Sequence, residues 1–99
     1  MKRREGFERL EQEIVREKAA ALGRAGERLE AALADADALA QALEAEADPE
    51  RRAPLLQRYE SARQRAMLAR TMLLIQREAI GLRYHRDVDR LFPEPPRRS

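Results

Sequence analysis

Few residues of this chain combine the type and spacing that chemistry needs. His85 is the single histidine, and imidazole is the side chain whose ordinary titration lies nearest neutral pH. Flanked by Arg83, Arg86 and Asp87, it reads as a surface or helix-start residue rather than a catalytic base. No Glu-x-x-His repeat accompanies it, so the ligands of a di-metal helical bundle are missing. The chain has no cysteine, which excludes a thiolate zinc site and a disulfide framework. No glycine-rich phosphate loop follows a strand, and no nucleophile, base and orienting group stand in a recognisable order. The expectation is a protein that is not an enzyme and uses neither metal nor cofactor.

Two other constellations have a chemical reading. Lys18, Gln76, Arg77 and Glu78 are side chains of the kind that hold an anion between long helices, as in the helical chorismate mutases. The order of Arg and Asp/Ile positions in that family's first helix is not reproduced here. Gln76, at a heptad core position, is the unusual member. A buried amide satisfied by Glu17, Lys18 or its own symmetry mate is the favoured account, setting register at a cost in stability. The string Pro93-x-x-Pro96-x-Arg98 has the spacing of an SH3 ligand. The bias of 18 Arg to 2 Lys, with 18 Ala, is that of a GC-rich bacterial genome, in which no such partner is expected. A disordered tail over 93–99 is the simpler expectation for so proline-rich and polar a segment.

Charge is divided unevenly. Residues 1–50 hold 8 basic and 13 acidic side chains, net −5, and residues 51–99 hold 12 basic and 5 acidic, net +7. A basic face for a polyanion would use Arg51, Arg52, Arg58, Arg63, Arg65 and Arg70. Without interleaved aromatics, nucleic acid is not the expected partner. The structural reading pairs the two halves instead, with Glu44 near Arg58, Asp37 near Arg63 and Arg65, and Glu30 near Arg70. Each exposed pair is worth only ~0–1 kcal/mol, but together they would select an antiparallel register.

The elements that position these residues are helices. In 99 residues one domain is expected, burying ~60–68% of its unfolded surface. Its apolar set is mostly Ala and Leu, with β-branched residues few and never alternating. Val15, Leu22, Leu29, Ala36 and Leu43 recur seven apart, the mark of a helix with a partner along its length. That phase runs unslipped through Gly23 and Gly26, which favours one continuous helix over about 6–47. A turn is expected over 48–53, because Asp48 can cap, Pro49 suits a first helical position, and Pro54 would lose an intrahelical bond. A second helix then covers about 54–81 and stops at Gly81, and a short one covers about 85–92. The fold class is all-α, an antiparallel helical hairpin with a short C-terminal helix.

Lengths and faces point to a partner. At ~1.5 Å per residue, residues 7–47 span roughly 60 Å and residues 54–80 roughly 40 Å. The hairpin leaves Phe7, Leu10, Ile14 and Val15 uncovered unless residues 82–92 or another chain reach them. The second helix is apolar around most of its circumference, with Leu68, Met72, Leu73, Ile75, Ile80 and Leu82 as the expected dimer or partner interface. A homodimer of two hairpins, closing a four-helix bundle, is the economical arrangement, and a further protein partner is possible. No apolar h-region follows the basic start. The most apolar run, Ala66 to Ile75, is too short and charged to span a bilayer. The polar face of the first helix is acidic, against binding to anionic lipid. A soluble cytoplasmic protein without membrane association is expected.

Two stretches, Glu13-Ile14-Val15-Arg16-Glu17-Lys18-Ala19-Ala20-Ala21-Leu22-Gly23-Arg24-Ala25-Gly26 and Gln76-Arg77-Glu78-Ala79-Ile80-Gly81-Leu82-Arg83, resemble a family of short bacterial helical proteins known only as a domain of unknown function. The resemblance implies a bacterial helical protein and supplies no activity, cofactor or catalytic residue.

Overall fold

A computed structural model describes residues 2–99, with side chains from Arg3 onward. Among the described residues all regular structure is helical: α1 (Lys2–Ala45), α2 (Pro49–Ala79) and α3 (Arg86–Leu91). The first two fold back on each other as a long hairpin. The molecule measures 73 × 21 × 14 Å. No helix of the described residues is long and apolar enough to cross a membrane.

Helix ends follow from local capping chemistry. The Asp48 side chain accepts the Glu50 N–H at 3.0 Å, and Pro49 occupies the first helical turn. This start is strong enough that α2 begins at Pro49, not near Pro54, and the turn shrinks from the expected 48–53 to 46–48. Pro54 lies inside the helix. The bond it cannot make would have used the carbonyl of Glu50, in an exposed first turn where solvent can serve it. At the far end the Gly81 N–H bonds the Glu78 carbonyl at 3.0 Å, and the Leu82 N–H bonds the Arg77 carbonyl at 2.9 Å. Gly81 has φ 92°. This is a Schellman closure, which needs a residue at ease in the left-handed region.

The seam between α1 and α2 is narrow because alanine lines it. Near the turn, Ala36, Ala40 and Leu43 enclose Tyr59 and Ala62; farther out, Ala25 and Leu29 pack on Leu73 and Val88. Helix α1 runs unbroken through Gly23 and Gly26, and nothing would lie within 4 Å of a Cβ added at either. Neither glycine serves a close approach within this chain.

The C-terminal third departs from expectation. Val88 buries itself in the outer core cluster, so α3 folds back onto Ala25, Leu29 and Leu73. It does not cover the start of α1, where Phe7, Leu10, Ile14 and Val15 are 46–65% exposed. Residues 93–99, expected to be disordered, instead run back along α2 and bond to it at Tyr59, Arg63 and Arg52. Proline does not oppose this path. It presets an extended backbone and leaves its carbonyls for donors on α2.

The glycines predict opposite outcomes. Gly81→Ala should lower unfolding free energy by about 1–2 kcal/mol, because alanine resists the left-handed region. Gly23→Ala should raise it by about 0.5–1 kcal/mol by favouring the helix at no steric cost. Urea titration of the two variants beside the parent chain measures both.

Candidate interaction surface

Two flanks of the hairpin differ in character. On one flank of α2, residues at three- and four-residue steps remain apolar and uncovered: Leu68 (63% exposed), Met72 and Ile75, with Ile80 and Leu82 continuing past the helix end. At about 100° per residue, these side chains point well away from the core residues Tyr59, Ala62, Ala66 and Leu73. The α1 arm, residues 3–20, is exposed throughout. Its Phe7, Leu10 and Ile14 are 46–61% exposed.

Leu73 does not belong to this surface. It is 6% exposed and packs in the outer core cluster beside Leu29 and Val88. The heptad pattern placed Leu73 and Leu68 on one broad apolar helix. Spacing sets the two on separate stripes about 140° apart, and packing against α1 and α3 makes that of Leu73 the inner one.

The polar residues singled out by type do not converge. Arg77 reaches forward to the α3 segment, donating to the Asp87 carboxylate at 3.0 and 3.2 Å and to the Tyr84 carbonyl at 3.3 Å. Glu78 lies 2.9 Å from His85 Nε2, so the single histidine ties the loop down at the start of α3. Lys18 stands exposed on the α1 arm. Gln76 is half-buried, and its Oε1 is shielded from solvent with no hydrogen-bond partner. Glu17 and Lys18 do not satisfy it. Of the four residues that would have formed an anion pocket, Arg77 and Glu78 instead tie α2 to the α3 segment. Among the described residues no group of three His, Asp or Glu side chains could hold a metal ion.

The opposite flank of α2 carries Arg52, Arg63 and Arg70, while Arg58 and Arg65 line a separate cavity with Asp35, and the partners differ from those the charge pattern suggested. Among the described residues no ion pair joins α1 to α2. Glu44 pairs with Arg98 at 3.0 Å rather than with Arg58. Arg63 donates to the Pro95 carbonyl at 2.9 Å. Arg70 donates to the Phe92 carbonyl at 2.9 Å and pairs with Asp89 and with Glu94. Alanine packing brings the helix backbones together, and these guanidiniums turn outward to a third layer, Arg52 also donating across the seam to the Leu43 carbonyl at 2.6 Å. With Arg52, Arg63 and Arg70 committed there and Arg51 paired with Glu46, the basic face offered to a polyanion is much reduced.

Two ionisable groups register this layer. Burial raises the Asp87 carboxyl, but the Arg77 guanidinium and the N–H groups of Val88 and Asp87 outweigh it and hold the group below its ordinary 3.8. Tyr59 and the Glu44 carboxylate push the Arg98 guanidinium above its ordinary value. The Arg98 guanidinium carbon also sits 5.5 Å from the Tyr59 ring centroid, in cation–π range.

Comparison with protein families, with curated proteins and with solved structures finds no match to this chain.

The Asp87 tie predicts how α3 responds to acid. Its folded value is depressed, so its contribution is present above the ordinary carboxylate range and is lost as pH falls through the lowered value. The Asp89 and Phe92 amides, which bond the His85 and Val88 carbonyls, should keep their hydrogen-exchange protection at neutral pH. They should lose it in acid before the α1–α2 seam opens. Arg77→Ala should remove the same protection already at neutral pH.

Proposed function

We propose that this is a non-enzymatic helical protein of the bacterial cytoplasm that acts through homodimerisation and protein–protein contacts. Membership of the short bacterial helical family that residues 13–26 and 76–83 resemble is part of the same reading. The observation that carries it is the apolar surface left uncovered on both long helices: Phe7, Leu10 and Ile14 on α1, and Leu68, Met72 and Ile75 on α2. Monomeric proteins scatter such side chains singly, and contiguous patches mark interfaces. A lone helical arm of 18 residues, spanning roughly 27 Å, is also marginal in water without a packed face.

A second copy satisfies both features at once. The arm and the α2 stripe lie at different heights along the long axis, and the stripe from Leu68 to Leu82 spans roughly 21 Å. An antiparallel copy related by a twofold axis lays each arm along the other's stripe. The same two surfaces are then used reciprocally, as a closed dimer requires. Over the overlap the pair becomes a bundle of long helices.

The measurement is the mass in solution by light scattering over a wide concentration range. A dimer of twice 11.4 kDa is expected for the parent chain. Leu68→Glu with Ile75→Glu should weaken it at least tenfold while helicity persists, because both side chains are exposed in the single chain. Leu73→Ala is the contrasting variant: it should cost about 2–5 kcal/mol of stability through a core cavity. A parent chain that stays monomeric and fully helical at every concentration would refute the proposal.

A further inference from the structure

The flank opposite the apolar stripe holds a second recognition surface. Arg52, Tyr59, Arg63 and Arg70 fall on one side of α2, within about 40° of one another at 100° per residue. Each donates to a backbone carbonyl of the returning segment. Arg70 Nε bonds Phe92 at 2.9 Å, Arg63 Nε bonds Pro95 at 2.9 Å, the Tyr59 hydroxyl bonds Pro96 at 2.7 Å, and Arg52 Nη2 bonds Ser99 at 3.2 Å. The row spans the length over which an extended chain of eight residues lies, roughly 25 Å at 3.1–3.3 Å per residue.

We infer that this row is a docking site for an extended, proline-rich segment of another protein, and that residues 92–99 are its resident competitor. Three features define what it takes. As used here, the row only donates: three guanidiniums and a phenol present hydrogens and ask for acceptors. A segment in which proline has removed N–H groups, as at Pro93, Pro95 and Pro96, offers carbonyls without leaving donors stranded. Carbonyl recognition also ignores side-chain identity, so it fits any chain of that backbone shape.

Side-chain preference comes from the ends and the middle. At one end Arg98 stacks on the Tyr59 ring and pairs with Glu44, which selects an arginine after the proline pair. In the middle the chain's own segment leaves an open cavity of about 280 Å³, lined by Leu33, Ala36, Ala40 and Tyr59 with Asp37 at its edge and bordered by Glu94. The Glu94 carboxylate turns instead to Arg70, at 3.7 Å. An apolar side chain in place of Glu94 would occupy that cavity. The preferred ligand is therefore apolar–Pro–Pro–x–Arg in extended conformation.

The competitor is held in a way that allows exchange. Pro93 and Pro96 are exposed and Pro95 only half-buried, so the segment gains little from apolar burial. Its carbonyl bonds exchange for bonds to water on release. Opening it leaves the α1–α2 seam in place, as expected of a low-stability segment on a stable frame. The site lies on the side of α2 opposite Leu68, Met72 and Ile75, so its occupancy does not depend on the pairing proposed above.

The experiment uses the full chain and a fluorescein-labelled peptide of residues 91–99 carrying the change E94L, read by fluorescence anisotropy. The protein variant Glu94→Ala/Arg98→Ala loosens the chain's own segment without altering the donor row. It should bind the peptide at least tenfold more tightly than the parent. Adding Tyr59→Phe and Arg63→Ala should reverse that gain, with circular dichroism confirming the helices. Arg63→Ala alone, outside the core, replaces the pair if Tyr59→Phe does not fold. A peptide with alanine at both positions of the Pro95–Pro96 pair should bind at least tenfold more weakly. No binding to the loosened variant, equal binding by parent and variant, or binding indifferent to the loss of Arg63 would each overturn the proposal.

Discussion

The alanine-lined contact between α1 and α2 governs what every other segment must do, because it brings two helix backbones together while burying little surface for each residue. Ala25, Ala36 and Ala40 on one side meet Ala62 and Ala66 on the other. Leu29, Leu43, Tyr59 and Leu73 are the large side chains of α1 and α2 buried there, with Leu22, Leu33, Leu39, Leu55, Leu56 and Leu74 partly buried around them. At ~25 cal/mol for each Å² of apolar surface, a seam built from methyl groups stabilises weakly. A hairpin held this way needs a third layer. The structure supplies one on a single flank, through Val88, Phe92 and the segment that follows.

This constraint also explains the arginines. A wider seam would leave room for interhelical ion pairs; this one does not. The guanidiniums of Arg52, Arg63 and Arg70 reach instead to backbone carbonyls and to the acids Asp89 and Glu94. The positive charge of the second half thus acts at short range as a row of hydrogen-bond donors. His85 and Arg77 work likewise, tying the loop after Gly81 to α2 through Glu78 and Asp87. His85, Arg77 and Glu78, with catalytic or anion-binding potential by type, are occupied as fasteners of α3.

The other flank has no such layer. There the apolar residues of α2 remain outside, and an arm of α1 with no neighbour in its own chain supplies roughly 27 Å of the 73 Å length of the molecule. Asymmetry between a strapped flank and an open one separates two surfaces on one hairpin. The open side offers apolar side chains at helical spacing, suited to another helix. The strapped side offers donors at extended-chain spacing, suited to a strand rich in proline.

Sequence alone determined what depends on neighbours four or fewer residues apart. The heptad phase from Leu22 to Leu43, the Asp48–Pro49 start, the Gly81 stop and the continuity of α1 through Gly23 and Gly26 all rest on local bonds and local periodicity. Even there, Pro54 misled: its missing bond falls in an exposed first turn, where the loss is small. Tertiary structure alone decided which of two apolar stripes on α2 faces inward, placing Leu73 inside and Leu68 outside. It also decided that α3 turns back onto Leu29 and not onward to Phe7. The path of residues 93–99 was illegible for a physical reason. Its anchors are carbonyls meeting donors 32–47 residues distant in the chain. A carbonyl is the same on every residue, so such bonds leave no pattern of hydropathy or charge in the sequence that makes them.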